Sequence, residues 1–166
     1  MKKITKKDFS RDFGSPIEQD IKNYFTGKTV NEVAECFDRF FPKRKKLVKI
    51  FPESKKVLET LKKRKIKLAL LSNSTRYIVL TILEHHKIRE YFDAVVAMQD
   101  VKKRKPAPDM VLKACKMLKV KPRNALLVGD TKNDMIAGKR AGCVTVGYKI
   151  KGDYGIESLE QIERFI

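Results

Sequence analysis

Cysteine is scarce in this chain, and nothing about it suggests pairing. Cys36, Cys115 and Cys143 are far apart and odd in number. Such spacing makes neither a metal knuckle nor a disulfide framework, so a reducing, cytoplasmic setting is the expectation. Long apolar runs are missing too. The opening Met1-Lys2-Lys3-Ile4-Thr5-Lys6-Lys7 is charged with no apolar segment behind it. That pattern predicts no leader and no membrane partner. Internal repeats and low-complexity linkers are absent, which excludes solenoid and fibrous architectures. Acidic residues are few: 20 Asp and Glu stand against 38 Lys and Arg, a formal charge of +18.

What is present suits a folded chain. Apolar residues make up 42% and charged residues 35% of 166 positions, enough for one cored domain plus a small appendage. The basic excess lies in dispersed runs at Lys43-Arg44-Lys45-Lys46, Lys62-Lys63-Arg64-Lys65 and Lys102-Lys103-Arg104-Lys105. None is interleaved with aromatics, and no nucleic-acid-binding signature accompanies them. A solvated lysine-rich surface is the favoured reading, and a nucleic-acid partner the weaker one.

The first 48 residues read as helical. Ser15-Pro16 looks like a cap followed by a first-turn proline, with Ile17, Ile21, Tyr24 and Phe25 on one face. Gly27 ends that helix, Thr29 caps the next, and Pro42 stops it. From Phe51-Pro52 the pattern alternates. Helices are predicted over 53–63, 75–86, 108–118, 133–141 and 157–165. Strands are predicted over 67–71, 94–97, 125–128 and 144–147. This order implies right-handed βαβ units in a doubly wound parallel sheet of the α/β class, with a boundary near residue 50.

Ligands of such sheets bind beyond the C-terminal ends of the strands. Three segments carry polar groups there: Ser72-Asn73-Ser74-Thr75, the loop Lys105-Pro106-Ala107-Pro108, and Gly129-Asp130 with Asp134 four residues on. A hydroxyl with free backbone N–H groups and an ammonium are phosphate ligands, and a carboxylate pair suits Mg2+. Each has a plainer reading. Ser72 also suits a helix cap, Lys105 sits in a basic run, and Asp130 and Asp134 flank a helix start where the dipole favours acids. His85-His86 read as surface or cap-facing groups, and Arg76 as part of a solvated helix face.

The ordered set of apolar strand-Ser-Asn, Lys-Pro-x-Pro and Gly-Asp-x-x-x-Asp resembles motifs two, three and four of the haloacid dehalogenase (HAD)-like superfamily. The likeness is to its phosphoglycolate phosphatase-like branch, which has a small helical cap. It runs from about Phe51 to the C-terminus. It implies a HAD-like Rossmannoid core at 49–166 and a partial helical cap at 1–48. It also implies a Mg2+-dependent phosphatase acting on a small phosphorylated metabolite through an aspartyl-phosphate. By that resemblance Ser72 and Lys105 are catalytic. Ser72, Asn73 and Lys105 hold phosphate, and Asp130 and Asp134 hold Mg2+, Asp134 directly or through a water.

One element of the resemblance is not found. The family's nucleophile follows an apolar strand in an Asp-x-Asp signature. Asp8-Phe9-Ser10-Arg11-Asp12 has the wrong spacing, and Asp20 and Asp38 fall inside helical patterns. The first, central strand is therefore expected to be missing, leaving strand edges without partners. Three readings follow: a start site further upstream (favoured, because the other site residues remain), a split or swapped assembly, or an inactive phosphate- or partner-binding protein. An exposed sheet edge or cap face also favours a homo-oligomer. Dehalogenation is the weaker enzymatic alternative, because the acid pair suits phosphate chemistry better.

Overall fold

The computed structural model describes Thr5 and residues 14–166. The Asp8–Asp12 stretch lies outside the described residues.

Among the described residues two short helices come first, α1 (Ile17–Tyr24) and α2 (Val30–Phe40). The N-cap of α1 is Pro16, in an extended conformation with no side-chain cap bond, and not Ser15 as its sequence suggests. Proline has no N–H to satisfy and its fixed φ suits an extended entry into the helix. After Phe25 the chain turns through Gly27, whose φ of +82° favours a residue without Cβ. Thr29 caps α2 in a reciprocal box. Its hydroxyl accepts the Glu32 N–H at 3.3 Å, and the Glu32 carboxylate accepts the Thr29 N–H at 2.8 Å. The Thr29 N–H, with Lys28 beside it, holds the Glu32 carboxyl down at about 2. Pro42 ends α2 as expected, and the chain continues as a 3-10 helix over Pro42–Leu47.

The alternating region follows. Its helices are α3 (Ser54–Lys63), α4 (Arg76–His85), α5 (Asp109–Leu118) and α6 (Lys132–Ala141). Its strands are β1 (Ala69–Leu71), β2 (Ala94–Val96), β3 (Leu126–Gly129), β4 (Val144–Tyr148) and β5 (Tyr154–Ile156). All pairings are parallel. β1 pairs with β2 in one sheet, and the other has the order β3-β4-β5. The expected α/β architecture is present, divided in two. Among the described residues, β1 and β3 each keep one edge unpaired.

The halves are joined through side chains. Leu71 from β1 and Leu127 from β3 pack on one cluster with Val111 and Cys115 of α5, Ala137 of α6, and Cys143. Burying each Val or Leu there contributes roughly 1.5–3 kcal/mol. A second cluster sets Val57 and Leu61 of α3 against Val146 and Ile156. The helical pair docks on the core through Ile17, Val33 and Ala34 packed on Met98. Two polar ties reinforce the contact: an ion pair from Arg104 to Glu18, and a hydrogen bond from the Thr75 hydroxyl to Asp38.

The end of the chain departs from its sequence pattern. The helix expected over 157–165 is a 3-10 helix, Leu159–Phe165, and β5 precedes it. β5 is held by pairing and by a side-chain pin rather than by propensity. Asp153 accepts the Thr145 N–H at 2.9 Å and the Thr145 hydroxyl at 2.7 Å, on a threonine that is fully buried.

Candidate phosphate and metal site

All five expected site residues, Ser72, Asn73, Lys105, Asp130 and Asp134, line one cavity of about 540 Å3 beyond the C-terminal ends of β1 and β3. The strands explain the convergence. β1 stops at Leu71 and β3 at Gly129, so the next residues of both emerge on the same side of the fold.

Ser72 continues the ladder of β1 for one bond, its N–H donating to Val96 O at 3.0 Å. Its hydroxyl oxygen accepts the Ser74 N–H at 3.1 Å, which leaves its O–H available as a donor. It does not cap α4. That role belongs to Thr75, whose hydroxyl accepts the Ile78 N–H at 3.2 Å.

The Asn73 side chain faces protein. Its Nδ2 donates to Lys105 O at 3.0 Å and to Gly14 O at 3.3 Å, and its Oδ1 accepts the Lys105 N–H at 3.0 Å. One amide thus clamps both backbone polar groups of Lys105, a residue 32 positions away, whose peptide bond to Pro106 is cis.

The Lys105 ammonium lies on the cavity floor, its side chain 12% exposed. It donates to Asp134 Oδ1 at 2.7 Å and to Leu71 O at 3.1 Å. An ammonium has three N–H groups, so one remains for a ligand.

The two carboxylates differ sharply. Asp134 is buried in the first turn of α6 and both its oxygens are engaged. Oδ1 takes Lys105, while Oδ2 accepts the Thr131 hydroxyl at 2.6 Å and the Thr131 N–H at 3.1 Å. Asp130 is exposed at the cavity mouth. Gly129 makes the close packing of Asp134 possible, because a Cβ there would lie 2.4 Å from Asp134 Cβ. Among the described residues no cluster of three His, Cys, Asp or Glu is gathered for a metal ion. A Mg2+ ion commonly takes one or two carboxylates and completes its octahedron with water and phosphate oxygens. The exposed Asp130 carboxylate fits that demand as a single ligand.

Some residues around the site were not legible from sequence. Gly14 has a φ of +78°, and its carbonyl accepts from Asn73 and from Asn133 Nδ2 at 3.2 Å. A Cβ at Gly14 would meet Thr131 Cγ2 at 2.5 Å. The only local signal was a glycine ahead of Ser-Pro. Arg76 keeps a partly solvated side chain, 43% exposed, but is also tied to the fold. Its guanidinium donates to Val95 O at 3.3 Å and pairs with Asp100, because a carboxylate and an open carbonyl lie within its reach. His86 Nε2 lies 3.0 Å from Val48 O.

Comparison with known proteins places these features in context. A family profile described as haloacid dehalogenase-like hydrolase matches residues 1–148. Phosphoglycolate phosphatase of Escherichia coli (strain K12) is 31% identical over 141 residues, covering 84% of this chain and 55% of that protein. The chain spans about half the length of the curated phosphoglycolate phosphatases it matches. Among solved structures, a HAD-superfamily hydrolase of subfamily IA from Geobacter sulfurreducens superposes with a TM-score of 0.74 at 25% identity. That match covers 82% of this chain and 71% of that one. CbbY from Rhodobacter sphaeroides, solved with phosphate, superposes with a TM-score of 0.82 over 95% of this chain and 80% of that one. At 18% identity that likeness is one of fold.

Proposed function

Since the chain belongs to the haloacid dehalogenase-like hydrolase family, we propose that its cavity holds the phosphoryl group of a small phosphomonoester for Mg2+-dependent hydrolysis. The observation that carries this reading is the Lys105 ammonium, anchored to Asp134 and Leu71 O on the cavity floor with Ser72 and Asp130 in the same lining. Phosphoryl transfer depends on positioning and on neutralising charge that builds on oxygens. The Ser72 hydroxyl donates to one phosphoryl oxygen. Lys105 sets its remaining N–H against another. Asn73 acts through the Lys105 backbone as a positioning residue. Asp130 would hold Mg2+ directly. Asp134 supports the site by fixing Lys105 and, through a water, the ion. When bound, Mg2+ supplies further neutralisation of phosphoryl charge.

The attacking carboxylate of an aspartyl-phosphate route is not among the described residues. The unpaired edges of β1 and β3 offer a strand bearing it a place to pair on both sides. The helical pair at residues 17–40 forms the cap over the site in this reading, and the alternating region forms the core. The same unpaired edges, with no three-carboxylate cluster among the described residues, favour a second reading in which the chain binds phosphate without turnover.

Calorimetry with inorganic phosphate, and phosphate release from both phenyl phosphate and 2-phosphoglycolate, each with and without Mg2+, test both readings. Phosphate binding that is lost in Lys105→Ala supports the site. Turnover that needs Mg2+ and disappears in Asp130→Ala supports the enzyme. Turnover that survives Asp130→Ala overturns the metal reading, and binding without turnover selects the second. An absence of phosphate binding overturns both.

A further inference from the structure

We propose that the ester accepted by this cavity has an uncharged, aromatic leaving group, so that aryl phosphates are preferred to phosphate esters carrying a second anion. The inference rests on the phosphoryl site proposed above and concerns the apolar part of the same lining. That part comprises Ile17, Tyr24, Phe25 and Phe37 of the helical pair with Ile78 and Met98 of the core. Ile17, Tyr24 and Met98 are themselves buried, so the surface open to a ligand is that of Phe25, Phe37 and Ile78. Phe25 and Phe37 meet edge to face, with centroids 5.9 Å apart and planes at 81°. A flat ring extends such an arrangement with favourable offset or edge contacts.

Charge points the same way. Among the described residues lining the cavity, Lys105 is the single cation, and the carboxylates of Asp20, Asp130 and Asp134 accompany it. Lys105 is already engaged by Asp134 and serves the phosphoryl end. Two of the basic groups flanking the site loops are turned elsewhere. Arg104 pairs with Glu18, and Arg76 pairs with Asp100. A second phosphate or a carboxylate on the leaving group would be desolvated against aromatic faces, and the described lining offers no second cation to receive it. Burial of an unpaired charge is strongly unfavourable, whereas burial of a ring on apolar surface is favourable.

The test is calorimetric binding of phenyl phosphate, 2-phosphoglycolate and inorganic phosphate to the full chain and to Phe37→Ala. Phe37 is partly exposed, and a urea unfolding curve of the variant checks that its truncation leaves the fold intact. Phenyl phosphate is expected to bind at least tenfold more tightly than inorganic phosphate, and 2-phosphoglycolate no more tightly. Phe37→Ala should erase most of the phenyl advantage and leave inorganic phosphate unchanged. If 2-phosphoglycolate binds more tightly than phenyl phosphate, the leaving-group assignment is overturned and the phosphoryl site stands. An unchanged phenyl advantage in Phe37→Ala also overturns the assignment. If none of the three binds, the phosphoryl site fails and the inference fails with it.

Discussion

The loops after β1 and β3 face the same cavity but are organised in opposite ways. After β1, the small polar residues divide the work: Ser72 faces the cavity, Asn73 clamps Lys105, and Thr75 caps α4. After β3, two aspartates four positions apart take opposite roles. Asp134 is buried with every oxygen engaged, and Asp130 is exposed at the mouth. The difference shows that a motif's residues share chemistry without sharing a task. One carboxylate builds the site and the other is left free for a ligand.

Replacing each aspartate breaks this comparison most directly and gives the largest expected effect. Asp134→Ala leaves the Lys105 ammonium buried beside a void and removes the cap bonds from Thr131. Deleting one partner of a buried pair is strongly destabilising, about 3–5 kcal/mol. Asp130→Ala removes only an exposed carboxylate and is expected to stay within about 0.5 kcal/mol of the parent. Urea unfolding of both variants measures the gap. Equal losses would show that the two residues are not divided into builder and ligand.

Gly129→Ala comes next. The added Cβ would press on Asp134 Cβ at 2.4 Å, an atom close to the backbone that has little freedom to swing away. Overpacking of this kind costs about 1–3 kcal/mol. Phosphate affinity should fall with it, because the displaced carboxylate carries Lys105 along. A stability loss with unchanged phosphate affinity would separate Asp134 from the positioning of Lys105.

Asn73→Ala sharpens the other side of the comparison. It removes the side chain that satisfies both backbone groups of Lys105, for a loss of about 1–2 kcal/mol. Ser72→Ala, next door, is expected to change stability little and to weaken phosphate binding. Hydrogen exchange at the Lys105 amide should quicken in Asn73→Ala and stay slow in Ser72→Ala. The same exchange rate in both variants would remove the clamp from the account.

What the residues announced and what they concealed follow from the range of the forces involved. The Thr29 cap of α2 and the Gly142 terminus of α6, where φ is +81°, are local and were readable from neighbouring residues. The parallel strands were readable from apolar runs separated by helices. The convergence of Ser72, Lys105 and Asp130 follows from topology once those runs are strands. β5 was hidden because Tyr154-Gly155-Ile156 is short, contains glycine, and becomes a strand only by pairing with β4. The Asn73 clamp was hidden because its partner lies 32 residues away, and the Gly14 docking because its contact on Thr131 is more distant still. The Arg76–Asp100 pair was hidden because nothing in its own helix reveals Asp100.

The smallest expected effect concerns acid. Asp93 and Asp153 are the structural counterparts of Asp134 away from the site, each holding an N–H group in the fold. The Leu68 N–H, with Lys62 beside it, lowers the Asp93 carboxyl from its ordinary value. The Thr145 hydroxyl and N–H do the same for Asp153. A carboxyl whose folded value is depressed binds its proton more readily in the unfolded chain. Its stabilisation is therefore present above the unfolded value of about 3.9 and is lost as pH falls through the lowered folded value. Unfolding free energy measured by urea from pH 6 down to pH 3 should decline for the parent chain. The decline should be shallower in Asp93→Asn and in Asp153→Asn, each of which removes one titrating group. Both carboxylates are partly exposed, so solvent screening keeps each change small compared with that of Asp134→Ala. Parallel declines in all three proteins would mean that these two carboxylates do not set the acid limit.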